Sequence, residues 1–144
     1  VEAAPEPRRL RIAGLHHVTL IVRDAARSSA FYRDLLGMAL VEQGANDDDP
    51  DARHLVFGDA EGSPGTLVTC LEYPRLEEGE VGVGSTHHFA LEVSSEEELR
   101  GWRDYLTSRG VPCSEVMRRS LCWSLYLRDP DGHILELASR RRPA

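Results

Sequence analysis

Two short segments carry paired histidines. His16-His17 heads the run Val18-Thr19-Leu20-Ile21-Val22, and His87-His88 heads Phe89-Ala90-Leu91-Glu92-Val93. Imidazole is both a proton carrier near neutral pH and the commonest metal ligand. On an alternating strand successive side chains go to opposite faces, which separates the two members of each pair. In the first strand His16 shares the more apolar face with Val18, Leu20 and Val22, which should pack beneath a helix, whereas His17 goes with Thr19 and Ile21. In the second, His87 goes with Phe89, Leu91 and Val93, and His88 with Ala90 and Glu92. The repeated parity points to His17 and His88 as a pair facing a common concave surface. A third candidate is Glu136, set in the apolar run Ile134-Leu135-Glu136-Leu137-Ala138. A carboxylate there is costly to bury unless it is paired or bound to a metal. Two imidazoles and one carboxylate on a shared face suit a divalent first-row metal, with further positions open to water, O2 or substrate. The competing reading has both histidines satisfied in the core and Glu136 paired with a surface arginine; the three residues together favour the metal.

The elements that must position these residues repeat. In the first half the strand His16 to Val22 runs into Asp24, an N-cap, after which Phe31/Leu35 and Tyr32/Leu36 lie one turn apart and Gly37 supplies the stop. Strands are expected over Met38 to Gln43, Arg53 to Gly58 and Thr66 to Tyr73, separated by the acidic loop Asp47-Asp48-Asp49-Pro50 and the turn-rich Asp59 to Gly65. In the second half the strand Thr86 to Val93 precedes Ser95 and Glu98, a capping box, and a helix with Leu99, Trp102 and Leu106 on its apolar face. Gly110 and Pro112 end that helix. Strands follow near Cys113 to Met117, Leu121 to Arg128 and His133 to Ser139, the last two joined by the turn Asp129-Pro130-Asp131-Gly132. The fold class is therefore α+β: a first βαβββ module over residues 14–73, a linker over 74–84 and a second module over 85–139. One such unit leaves a sheet face uncovered, so the two should pair into a single domain, an open, metal-binding, barrel-like cup with a pocket between modules.

Composition limits the partners. Among 144 residues a net charge of −7 argues against a nucleic-acid binder, and the basic run Arg140-Arg141-Arg142 reads as a solvated end. No apolar run is long enough to span a bilayer, and the Pro-, Glu- and Arg-rich start Val1 to Arg11 does not resemble a signal peptide, so a cytoplasmic location is expected. Cys70, Cys113 and Cys122 show no CxxC spacing and read as free thiols. The Asp47 to Asp51 cluster lacks the glycine and terminal glutamate of an EF-hand loop. Exposed sheet edges on a two-module chain favour a homodimer.

These motifs resemble the vicinal oxygen chelate superfamily, which contains glyoxalase I, the bleomycin- and fosfomycin-resistance proteins and the type I extradiol dioxygenases. The likeness is carried by His16-His17-Val18-Thr19-Leu20, Phe31-Tyr32-Arg33-Asp34-Leu35-Leu36-Gly37, the second histidine strand, and Asp129-Pro130-Asp131-Gly132 ahead of Ile134-Leu135-Glu136. Gly65-Thr66-Leu67 leading to Glu72-Tyr73-Pro74, and Gly82-Val83-Gly84, are most similar to ring-cleaving dioxygenases that open hydroquinones and related phenols. That resemblance implies metal ligands at His17, His88 and Glu136, and supporting or catalytic roles for His16, His87, Arg119 and Tyr126, the last ten places before the glutamate. It also implies a divalent metal, Fe(II) first, with Mn(II), Zn(II), Ni(II) or Co(II) as alternatives, and a small aromatic substrate with O2 as partners. Those enzymes carry four modules, whereas this chain has two.

Three rivals share the scaffold. A glyoxalase-like isomerase usually takes a fourth ligand from the last strand of the first module; here Thr69 stands after Gly65 as Glu136 stands after Gly132, and Glu72 would serve only in a different register. A fosfomycin-type transferase needs further cations around a phosphonate, and the chain has no lysine. A bleomycin-type or other small-molecule binding protein would not require His17, His88 and Glu136 together.

Overall fold

The computed structural model describes residues 9–141. Arg142 of the basic tail and residues 1–8 of the Pro-, Glu- and Arg-rich start lie outside the described residues. Two open, mixed four-stranded sheets follow one plan. The first module comprises β1 (His17–Val22), α1 (Ala25–Ser29) continuing into a π-helical turn (Ala30–Leu35), β2 (Ala39–Asn46), β3 (Asp49–Gly58) and β4 (Leu67–Glu72). The second comprises β5 (Phe89–Val93), α2 (Glu96–Ser108), β6 (Met117–Arg118), β7 (Cys122–Arg128) and β8 (Ile134–Arg140). Strand order is β1-β4-β3-β2 in one sheet and β5-β8-β7-β6 in the other. In each sheet the first strand lies parallel to the last and forms an edge. Residues 74–84 contain no helix or strand.

Local signals account for the helix ends. Asp24 accepts hydrogen bonds from the backbone N–H groups of Ala26 and Arg27, and Ser95 accepts from that of Glu98. Gly37, at φ +78°, takes the left-handed stop that only glycine adopts without strain. The first helix is not uniformly α. Its wider turn, with the Leu36 N–H donating to the Phe31 carbonyl, carries the adjacent Phe31 and Tyr32 both into the core.

Three strand boundaries differ from expectation. The acidic stretch is not a long loop: Asp49 and Pro50 already belong to β3, leaving a two-residue turn in a long hairpin, with Asn46 Oδ1 accepting from the Asp48 N–H. The segment near Cys113 makes only an isolated bridge to Leu127, and β6 is two residues long. The strand expected from Thr86 begins at Phe89, so His87 and His88 stand just ahead of the pairing.

One core serves both modules. It is built from Leu20, Val22, Val68 and Cys70 of the first sheet, Leu125, Leu127, Leu135 and Leu137 of the second, and side chains of both helical segments between them. The histidine-bearing faces are therefore the opposite faces. On β1, Leu20 and Val22 are buried while His17, Thr19 and Ile21 are exposed, in the expected parity. Of the three cysteines, all are free; burial pushes the Cys70 thiol up to about 12. Among the described residues no helix is long and apolar enough to cross a membrane.

A buried polar latch joins the modules. Tyr32 Oη donates to Asp129 Oδ2 at 2.7 Å, the same oxygen meets His133 Nδ1 at 2.7 Å, and Asp129 Oδ1 accepts from the backbone N–H groups of Asp131 and His133. Beside it Arg27 holds Asp131 at 2.7 Å. Burial pushes the Asp129 carboxyl up, but the bonds from His133 and Tyr32 outweigh it and leave it below its ordinary value. The bond to Asp129 in turn raises His133 above its ordinary value. The raised His133 contributes stability fully below about pH 6.5, its unfolded value, and loses it as pH rises through the folded one. The lowered Asp129 contributes above its unfolded value and loses it as pH falls through the folded one. Tyr32→Phe should cost about 1.5–3 kcal/mol in urea denaturation, since a buried carboxylate loses a donor. His133→Ala should abolish the decline in the parent's stability between neutral and mildly alkaline pH; an unchanged profile would exclude the latch as its source.

Candidate metal centre

Glu136 lies on β8, directly opposite Tyr126 of β7 in the antiparallel register. Although its carboxylate is buried, both oxygens are engaged. Oε1 meets His88 Nε2 at 2.8 Å, while Oε2 accepts from Ser124 Oγ at 2.5 Å and lies 3.5 Å from Cys122 Sγ. Burial alone would raise its pKa, but the bonds from Ser124, Cys122 and His88 together hold it below the ordinary carboxylate value. Glu136 is thus ionised, on the face away from the shared core.

Each histidine pair has the same geometry. His16 Nδ1 lies 3.0 Å from His17 Nδ1, and His87 Nδ1 lies 2.8 Å from His88 Nδ1, with the rings edge to face. Neither His16 nor His87 packs beneath a helix as strand parity predicted: both are exposed. His87 precedes β5 and His16 precedes β1, so no ladder forces the rings apart. Proton positions in the second pair follow from the acceptors. The Glu136 carboxylate accepts at Oε1, so His88 presents a proton on Nε2, and a neutral His88 ring then takes one from His87 at Nδ1. A cation on Nε2 would require that proton to leave and the bond between the two Nδ1 atoms to reverse, with His88 donating and His87 accepting.

Tyr126 and Arg119 complete this face. The Tyr126 ring stands edge to face with His88 at a centroid distance of 5.8 Å, and the Arg119 guanidinium lies 5.4 Å above the Tyr126 ring. Five of the seven expected residues, His87, His88, Glu136, Tyr126 and Arg119, are therefore gathered on the second module. His16 and His17 are not with them. Among the described residues, no donor atom of His17 completes a group within 4.8 Å with those of His88 and Glu136. A cavity of about 580 Å³ does lie between the modules, but it is lined by Thr19, Ile21, His88 and Asp131 among others, and not by His17, Glu136 or Tyr126.

Neither Thr69 nor Glu72 of β4 supplies a carboxylate to the histidine-bearing face of the first sheet. Thr69 faces Thr19 in register, and its hydroxyl donates to Thr19 Oγ1 at 2.6 Å. Glu72 accepts the Ala25 N–H at 2.6 Å and caps α1 on the core side of the sheet. The described residues do contain another close group, Asp129, Asp131 and His133. Both Asp129 oxygens are taken up by the latch, and Asp131 Oδ1 by Arg27 and the Arg23 N–H, whereas Asp131 Oδ2 is buried without a hydrogen-bond partner among the described residues; the group ties the two modules together.

The chemistry of the donor set fits a divalent cation: one nitrogen and one oxygen already converge, and Ser124 and Tyr126 share the face with the small side chains of Ala90 and Ala138. A second imidazole nitrogen is required, and His17 is the candidate on the matching face of the repeat.

Comparison with known proteins assigns the chain to a superfamily. Residues 14–137 match the model of the Glyoxalase/Bleomycin resistance protein/Dioxygenase superfamily. The chain belongs to that superfamily. Within it, a Bacillus subtilis protein named as a ring-cleaving dioxygenase, MhqA, is 32% identical over 130 residues, 90% of this chain and 41% of the relative. The glutathione transferase FosA of Serratia marcescens is 31% identical over 127 residues, 88% of this chain and 80% of that protein. A crystal structure described as a dioxygenase from Bacillus subtilis superposes with a TM-score of 0.82 at 32% identity, over 89% of this chain and 41% of that one. The chain thus spans about two fifths of the length of the ring-cleaving relative. Ser124 and Cys122 were missed in the sequence. Their signal was the parity Cys122, Ser124, Tyr126, three polar-capable side chains on one face of a strand whose other face is Trp123, Leu125 and Leu127.

Proposed function

We propose that this protein is a metal-dependent ring-cleaving dioxygenase acting on a catechol or hydroquinone-like phenol. In this reading it works as a homodimer in which His17 of one copy joins His88 and Glu136 of the other. The observation that carries the proposal is the His88–Glu136 pair beside Tyr126 and Arg119, with Glu136 buried and His88 partly exposed. An equivalent histidine lies on the exposed face of the other module. Ile21, on that same face, is 52% exposed, an apolar side chain suited to burial against a second copy.

A divalent metal held there would supply neighbouring positions for a phenolate and O2 and a path for electron density between them. The chain's own residues do the rest. Arg119 brings a fixed positive charge to the mouth, where it would meet the substrate oxyanion. The Tyr126 hydroxyl is placed to hold or move a phenolic proton, and His87 orients the His88 ring through Nδ1.

The transferase relative is matched over most of its length, which makes thiol transfer the second reading. The absence of lysine weighs against it. An isomerase of the glyoxalase type is weakened further by Glu72 capping α1. Protein purified without chelator should contain close to one divalent metal per chain by elemental analysis, and with Fe(II) should consume O2 when offered catechols or hydroquinones. Stoichiometric metal persisting in a His17→Ala, His88→Ala double variant would overturn the ligand assignment. Isomerisation of a glutathione hemithioacetal, with no phenol consumed, would replace the dioxygenase by the isomerase.

A further inference from the structure

The Glu136 carboxylate is held by its two oxygens very differently. Ser124 is fully buried, and its hydroxyl has a single proton, given to Glu136 Oε2 at 2.5 Å. Cys122 Sγ lies 3.2 Å from Ser124 Oγ and 3.5 Å from the same Oε2. With the serine proton committed, the single S–H of Cys122 is the donor left for these two contacts and is shared between Ser124 Oγ and Oε2. Oε2 therefore has its acceptor directions filled by the protein, while Oε1 points at His88 Nε2, the other donor of the candidate centre. The three residues come from adjacent strands in fixed register, Ser124 opposite Ala138 and Tyr126 opposite Glu136. The arrangement is thus built into the sheet and does not depend on a mobile loop.

We infer that Ser124 and Cys122 are positioning residues that restrict Glu136 to one-oxygen coordination, and so determine how many positions a bound metal leaves free for substrate and O2. This rests on the metal-centre reading above. An octahedral ion with two imidazoles and one carboxylate oxygen keeps three free positions, enough for a two-point diolate and O2 together. A chelating carboxylate would occupy one of them. The serine hydroxyl and the thiol act by making Oε2 unavailable, since a buried oxygen already taking two donors gains little from turning to a cation. Removing the hydroxyl leaves Oε2 with only the weak S–H donor, and the nearest replacement is the metal itself.

The test uses the full chain loaded with Co(II), with 4-nitrocatechol as a coloured two-point ligand, both followed by visible absorption. Parent protein should bind Co(II) and then 4-nitrocatechol. Ser124→Ala should keep its Co(II) affinity within about threefold, because a second metal–oxygen bond offsets the lost hydrogen bond, yet bind 4-nitrocatechol at least about tenfold more weakly. Cys122→Ala should shift the same ratio in the same direction by less. Adding Cys122→Ser to Ser124→Ala returns a hydroxyl beside Oε2 and should recover most of the lost 4-nitrocatechol binding. Unchanged 4-nitrocatechol affinity in both alanine variants would overturn the inference, as would equal weakening of metal and 4-nitrocatechol, which would make the two residues supports for ligand placement alone. A parent that takes up no Co(II) would instead overturn the metal centre.

Discussion

Refolding His17→Ala protein together with Glu136→Gln protein should restore metal binding that neither variant shows alone. The expectation follows from where the three ligands stand. His88 and Glu136 already touch, whereas His17 lies on the exposed face of the other module and closes no group with them. If the third ligand comes from a second copy, a mixed dimer holds one centre with both lesions and one with neither. Random pairing makes half of the dimers mixed, so about a quarter of all centres should be intact. Metal content and O2 consumption should each return to about a quarter of the parent level. If the ligands instead met within one chain, every chain in the mixture would carry one damaged centre and nothing would return. Light scattering on the parent supplies the companion result: a dimer at micromolar concentration, with a monomer excluding the shared centre.

The faces of the strands were legible because alternation is local. Leu20 and Val22 inward with Thr19 and Ile21 outward is a property of any half-buried strand, and β1 obeys it. Glu136 was legible for a related reason, as a carboxylate in an apolar strand needs partners wherever the strand goes. At the strand heads the same rule failed. Without a ladder to hold them apart, His87 and His88 turned their Nδ1 atoms towards one another. The latch was invisible for a different reason: Tyr32 and Asp129 are 97 residues apart, and nothing in either segment specifies the other. The packing of the two modules is likewise non-local. Pattern identified which face of each sheet bears histidines, but which faces meet depends on the sum of contacts in the shared core, and there the helix-bearing faces won. An open cup of two such modules was the expected assembly, and the structure has it as two open four-stranded sheets. What strand pattern did not reveal is that His17 closes no group with His88 and Glu136.

Glu136→Gln and Tyr126→Phe should fail in different ways. The first removes the only anionic ligand and leaves Ser124 and Cys122 donating to a neutral amide, so metal affinity should fall by at least about tenfold and O2 consumption with it. The second leaves His88, Glu136 and their bonds untouched, because Tyr126 meets His88 ring edge to ring face and no bond to Glu136 depends on its hydroxyl. Tyr126→Phe should therefore retain its metal while turning over phenols at least about tenfold more slowly, with the loss in kcat rather than in metal content. Arg119→Gln distinguishes the other role assigned to this face. If its charge receives the substrate oxyanion, KM should rise while metal content stays at the parent level. A Tyr126→Phe protein with unchanged kcat would place the proton-handling group elsewhere. Of the remaining groups described on this face, His87, hydrogen-bonded to His88 Nδ1, and Cys122, 3.5 Å from Glu136 Oε2, are titratable side chains that already touch the candidate ligands without being among them.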